Sequence, residues 1–321
     1  MPGSGVPVGR IDTTRWWTRG IALAAAAFLA ALLVAGCGSG GDSSGKPTIV
    51  VTTTPLGALV RDLVGDTAEV KVLMPNGADP HEYQPSAKDI EALSKADLVV
   101  ENGLKLEEGV TDAINQARDD GVRIFTATDH VTLRPFGQDQ AAEIAEHGPD
   151  DPHIWTSPIE MRQMVAALAP VVASDLGIDV AARATTLEAR LTALDAQVQR
   201  TLADIPAARR KLVTGHESLG YFAARYHFEL IGALIPSLSS QAQVSASNLA
   251  ALRTQVEKEG VPAIFSEAGT PTDVANAIAD QTGVPVVEVA THNLPADGSY
   301  FTFMTDMAAA IHDGLQPSAK R

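Results

Sequence analysis

The chain has 321 residues, 45% of them hydrophobic and 20% charged, a globular composition too long for one compact core and suited to two domains. Its 39 acidic residues against 24 basic ones give a formal net charge of −15, which excludes a nucleic-acid binder and suits a cationic ligand. The single cysteine, Cys37, excludes an intrachain disulfide and a cysteine-based zinc knuckle, so a metal site must draw on His, Asp and Glu.

Residues 1–36 read as an export signal. Arg10, Arg15 and Arg19 precede an apolar run, Ile21 to Val34, of signal-peptide length and short for a membrane span. The run ends Val34-Ala35-Gly36-Cys37, which looks like the bacterial lipobox, with Cys37 the lipidated residue. Residues 37–47 then form a flexible Gly/Ser tether. Cleavage before Cys37 leaves 21 basic and 38 acidic residues, a net charge of −17.

From Thr48 on, short β-branched runs alternate with helical patterns. Strands are expected at Thr48–Thr53, Glu69–Met74, Ala96–Glu101 and Val122–Thr126, with helices at Pro55–Val64, Ser86–Lys95 and Leu104–Ala117. The pattern pauses over Val131–Asp151. Leu187, Leu191, Leu194, Val198 and Leu202 then recur at helical spacing, which predicts a long helix running to Ile205-Pro206. The alternation restarts with strands at Lys211–Thr214, Glu229–Leu234, Ala263–Ser266 and Val284–Val289. Helices follow at Leu219–Tyr226, Ser247–Glu259, Pro271–Gln281 and Tyr300–Asp313. The fold class is therefore α/β: two lobes (48–175 and 207–321), each a parallel sheet flanked by helices, joined by one long rigid helix over 176–206. No phosphate-binding glycine loop, nucleophile elbow or His-Glu-x-x-His motif is present in the mature sequence.

Four of the eight histidines follow expected strands or precede helices: His81, His153, His216 and His292. In open α/β sheets the ligand crevice lies at the carboxyl ends of the strands, so facing lobes bring these residues into one interlobe cleft. Neutral imidazoles suit Zn²⁺, and each needs a second partner for its other ring nitrogen; Glu82, Asp151 and Glu217 are carboxylates close in sequence. His130, His227 and His312 are read as structural or surface residues, and Trp155 and Tyr83 as packing around the cleft.

Pro80-His81-Glu82-Tyr83-Gln84-Pro85-Ser86 with Asp89, Asp151-Pro152-His153-Ile154-Trp155, and His216-Glu217-Ser218-Leu219-Gly220-Tyr221-Phe222 occur in this order. Together with the lipobox they resemble the zinc/manganese ABC-transporter substrate-binding lipoproteins. The resemblance implies a metal held between two lobes, with His81, His153 and His216 as ligands. Where the family often has Asp-x-Leu, this chain has His292-Asn293-Leu294. His292 is the favoured fourth ligand and Glu267 the alternative, with water or Glu217 also open. A third His in place of a carboxylate favours Zn²⁺ over Mn²⁺, although Cu²⁺ or Ni²⁺ would also bind such donors. Pro135 to Met161 has six acids and no Lys or Arg. It reads first as a solvated loop, and as a candidate cation funnel through Glu143, Glu146, His147 and Asp150.

The expectation is a zinc receptor serving an ABC permease, anchored by lipidated Cys37 outside the cytoplasmic membrane, monomeric, and without enzymatic activity. A mononuclear zinc hydrolase or lyase, and an adhesin with a structural metal, are the alternatives.

Overall fold

The protein was analysed as a computed structural model that describes residues 45–135, 148–237, 240, 243–267, 270 and 272–316, with isolated positions 3 and 5. Cys37 and the leader lie outside the described residues, as do Glu143, Glu146 and His147. Lys46–Arg321 forms one compact unit, distinct from Met1–Gly45. Among the described residues no helix is long and apolar enough to cross a membrane.

The first sheet contains β1 (Thr48–Val51), β2 (Glu69–Val72), β3 (Leu98–Glu101) and β4 (Arg123–Thr126). Its order is β2-β1-β3-β4 and every pairing is parallel. The connecting helices are α1 (Thr54–Val64), α2 (Ala87–Ser94) and α3 (Thr111–Asp119). Ser86 and Asp89 form a reciprocal capping box that starts α2. Tyr83 donates its hydroxyl to Asp89 at 2.8 Å, with the Leu73 carbonyl 3.2 Å away, and so belongs to this corner of the first lobe.

The sequence predicts α3 from Leu104, but it begins at Thr111. Gly103, Leu104 and Lys105 take left-handed φ values of 97°, 53° and 60°, which no helix accepts. The Glu107 carboxylate fixes that turn by accepting from the Asn102 and Gly103 backbone N–H groups and from Thr52 Oγ1.

Two long helices, α4 (Pro158–Leu176) and α5 (Ala181–Thr201), stand between the sheets and pack against each other. Ser157 caps α4 with Pro158 at its first position, and left-handed Gly177 ends it. The Leu187–Val198 stripe of α5 is buried as its periodicity requires. The helix stops at Thr201, short of the expected Ile205.

The second sheet contains β5 (Lys211–Thr214), β6 (Glu229–Ala233), β7 (Ile264–Ser266) and β8 (Val286–Glu288), again all parallel, in the order β6-β5-β7-β8. Its helices are α6 (Gly220–Tyr226), α7 (Ala246–Glu259), α8 (Thr272–Thr282) and α9 (Tyr300–Leu315). Both sheets thus use one topology, with strand order turning between the first and third strands of each.

One apolar core runs through both lobes, from Ile49 of β1 through the α4–α5 pair to Leu315 of α9. Smaller clusters cover the far face of each sheet. The shared core ties the lobes to the helix pair by the area-dependent hydrophobic term rather than through a loose linker.

Candidate metal centre

The carboxyl ends of both sheets meet at the four histidines. His81 follows β2, His153 follows β4, His216 follows β5 and His292 follows β8. They are buried, with exposures of 8% for His81, 0% for His153, 1% for His216 and 3% for His292. His81 Nε2 lies 3.3 Å from His153 Nε2, which lies 3.2 Å from His216 Nε2. Nitrogens bound at 2.0–2.1 Å to one tetrahedral ion are separated by about 3.3 Å. Both measured separations match the spacing a single Zn²⁺ would impose, and the three ligand atoms all lie within 4.8 Å of one another.

What lies behind each ring sets its tautomer. His153 Nδ1 lies 2.8 Å from Asp151 Oδ1, which also accepts from the His153 backbone N–H. His216 Nδ1 lies 2.9 Å from Glu267 Oε1, which likewise accepts from the His216 backbone N–H. With Nδ1 protonated against a carboxylate, each Nε2 presents its lone pair to the centre. Asp79 accepts from the His81 backbone N–H and, on the other side of the cleft, from Ser240 Oγ.

Burial dominates the electrostatics. It pushes the His153 pKa well down, helped by the neighbouring His216 and His292. It also lowers His292 against the pull of Glu267. His216 differs: burial disfavours its charge, but contact with Glu267 prevails and raises its pKa. Burial pushes Asp151 up to about 7 against hydrogen bonding and the Arg134 guanidinium 3.3 Å away. Burial would raise Glu267 too, yet His216, His292 and the Thr291 hydroxyl hold it well below the carboxylate range.

Glu267 stands behind the His216 ring, and its ligand atom lies within 4.8 Å of those of His216 and His292 in a second buried group. Its Oε1 faces His216 and its Oε2 accepts from Ser218 Oγ and Thr291 Oγ1, so both oxygens are engaged behind the ring. His292 is the opposite case. Its ring centroid lies 5.6 Å from that of His216, and both ring nitrogens are buried with no hydrogen-bond partner among the described residues. An uncompensated buried polar group costs about 1–3 kcal/mol, which a ligand bond would remove. Glu82 is exposed, and Glu217 lines a shallow groove with Ala233 and Leu252 instead of joining the cluster.

The supporting scaffold is tight. A Cβ on Gly220 would sit 2.1 Å from Asp151 Oδ2, and one on Gly215 would sit 2.6 Å from Glu267 Cγ, so these turns admit no side chain. The Trp155 ring lies 5.2 Å from His153 and 6.0 Å from His292, and its Nε1 donates to the Thr291 carbonyl. Tyr300 OH in turn donates to the Trp155 carbonyl. Asn76 exchanges two 2.8 Å hydrogen bonds with the Leu294 backbone, joining the first lobe to the segment after His292.

The other described histidines stand apart. His130 stacks on Phe125 at 4.6 Å, His227 caps α6 with φ 60°, and His312 lies 3.0 Å from both Asp204 and Asp313 on the surface. Asp150 of the acidic segment pairs with Pro135 in an isolated bridge at the base of that loop. Sequence reasoning missed Asn102, whose Nδ2 donates to the Pro152 carbonyl and holds the His153 loop, and the buried Glu107 below it. Neither has a local signal beyond a polar residue just after a strand.

Comparison with known proteins agrees with this architecture. The zinc-binding protein TroA of Treponema pallidum is 30% identical over 264 residues, 81% of each chain. The zinc-binding lipoprotein AdcA of Streptococcus pneumoniae (strain TIGR4) is 28% identical over 89% of this chain, which spans 59% of that longer protein. The solved structure of periplasmic zinc-binding TroA superposes with a TM-score of 0.74 at 26% identity, covering 85% of this chain and all of that one. The family described as the periplasmic component A of the zinc-uptake complex matches residues 49–314. That stretch takes in both sheets, the helix pair and all four histidines, and the chain belongs to this family.

Proposed function

We propose that the protein is an extracytoplasmic receptor that captures Zn²⁺ between its lobes and delivers it to an ABC permease for import. The observation that carries this reading is His153 Nε2 standing 3.3 Å from His81 Nε2 and 3.2 Å from His216 Nε2, separations that fit a tetrahedral zinc site. His292 supplies the fourth nitrogen, and Asp151 and Glu267 orient the rings from outside. The family and the zinc-binding relatives support zinc as the cargo. An all-imidazole set favours Zn²⁺ over Mn²⁺, which prefers oxygen donors.

No bond is made or broken in this role. A hydrolytic zinc needs an open position and room for substrate. Here the four histidines are at most 8% exposed and the cavity beside them is of about 10 Å³, the size of one water. In our reading Cys37 carries the lipid that holds a monomeric receptor outside the cytoplasmic membrane. Residues 48–175 and 207–321 form its lobes, and 176–206 the connecting helix.

Equilibrium dialysis of metal-free protein against buffered Zn²⁺ tests the proposal. The expected result is reversible, stoichiometric binding below micromolar, lost in His81→Ala and His216→Ala, with no hydrolysis of ester probes. Absence of tight binding would overturn it.

A further inference from the structure

Three of the four histidines have an evident outer contact: His153 with Asp151, His216 with Glu267, and the His81 backbone with Asp79. His292 has none through its ring. Metal-bound imidazoles nearly always donate their second N–H to something that fixes their orientation.

A small cavity lies directly beside His292, walled by Thr53, Pro55, Met74, Pro80 and Trp155. Its volume is about 10 Å³, which admits roughly one water. Apolar surface makes up most of the wall, and two of the residues that line it, Thr53 and His292, carry buried polar atoms. Thr53 Oγ1 has no partner among the described residues, like the two ring nitrogens of His292. The other threonine in the wall is committed, since Thr54 Oγ1 donates to the His292 carbonyl. Orphaned buried polar groups on residues that line a space of one water are the setting in which a structural water is held.

We infer that this cavity holds one ordered water bridging Thr53 Oγ1 to a ring nitrogen of His292, making Thr53 the residue that positions the fourth metal ligand. A hydroxyl both donates and accepts, and so does water, so the bridge can satisfy whichever ring nitrogen the metal leaves over. Thr53 lies just beyond the carboxyl end of β1, so the first lobe would orient a ligand carried by the second. The inference rests on His292 being a zinc ligand.

Four variants separate the two claims: His292→Ala, Thr53→Val, Thr53→Ser and the Thr53→Val/His292→Ala pair. Zinc affinity is read by chelator competition and site geometry by the visible absorption of the Co²⁺-loaded protein. His292→Ala weakens zinc and alters the Co²⁺ spectrum; no change in either overturns the reading of His292 as ligand. Given that effect, Thr53→Val, which keeps the shape and removes the hydroxyl, weakens zinc by about 10–100-fold and shifts the Co²⁺ bands. Thr53→Ser restores both, and Thr53→Val has no further effect once His292 is alanine. A Thr53→Val protein within twofold of the parent overturns the inference alone, as does an equal loss in the His292→Ala background. A crystal structure of the zinc-loaded parent gives a check independent of any variant. A water within hydrogen-bonding distance of Thr53 Oγ1 and His292 supports the inference, and a dry cavity overturns it.

Discussion

Each sheet buries one glutamate where its strand order turns, and the two have opposite surroundings. Glu107, beside the ends of β1 and β3, accepts from Thr52, Asn102 and Gly103 and has no imidazole partner among the described residues. Burial raises its pKa from an ordinary 4.5 to about 7. Glu267, at the ends of β5 and β7, is just as deep, but His216 and His292 hold it ionised. The same fold thus makes one switch point a structural support and sets the other against the proposed metal ligands. What separates them is whether an imidazole stands against the carboxylate. The first switch point still serves the centre indirectly, since Asn102 holds the loop that carries His153.

The largest test of that contrast is His216→Ala, which removes a proposed ligand and should weaken zinc by more than the roughly 100-fold upper range of outer-shell changes. Glu267→Gln should follow, with a loss of about 10–100-fold in the same competition assay. Glu107→Gln should leave zinc affinity within about threefold. A zinc defect in Glu107→Gln equal to that of Glu267→Gln would break the comparison.

Glu107 instead bears on stability. A carboxyl whose folded pKa lies above its unfolded one keeps its full contribution below about 4.5 and loses it as pH rises toward 7. The displacement from 4.5 to about 7 corresponds to a loss on the order of 3 kcal/mol. Urea unfolding of metal-free protein at pH 5 and pH 8 isolates this contribution as the difference between parent and Glu107→Gln, with the parent losing more stability, or gaining less, on going to pH 8. Asn102→Ala should cost about 1 kcal/mol through its lost bond to Pro152, with a smaller zinc effect than Glu267→Gln. Smallest of all, His130→Ala and His312→Ala should leave zinc binding unchanged, because neither ring reaches the cleft.

Much of this was legible beforehand. All eight strands fall where β-branched runs end in turn residues, and His81, His153 and His216 were marked by their places after strands and by their motifs. Asp151 could be suspected from its place two residues before His153. The rest depends on contacts between residues distant in sequence. The late start of α3 follows from Glu107 reaching back to β1 and β3, which no local pattern records. Glu267 is a candidate ligand by its strand-end position, and its contact with His216 Nδ1 has no local sequence signal. The common order of the two sheets left no visible sequence repeat, because a parallel sheet constrains hydrophobic alternation and strand length more than residue identity. Trp155 meeting Thr291 and Asn76 meeting Leu294 are consequences of lobe packing alone.

The central claim is a four-imidazole zinc site shared between the lobes. X-ray absorption at the zinc edge of the loaded protein, parent beside His292→Ala, tests it most directly. The prediction is four nitrogens at about 2.0–2.1 Å with imidazole scattering in the parent, falling to three nitrogens and an oxygen in the variant. A parent shell dominated by oxygen, or identical spectra for the two proteins, would contradict it.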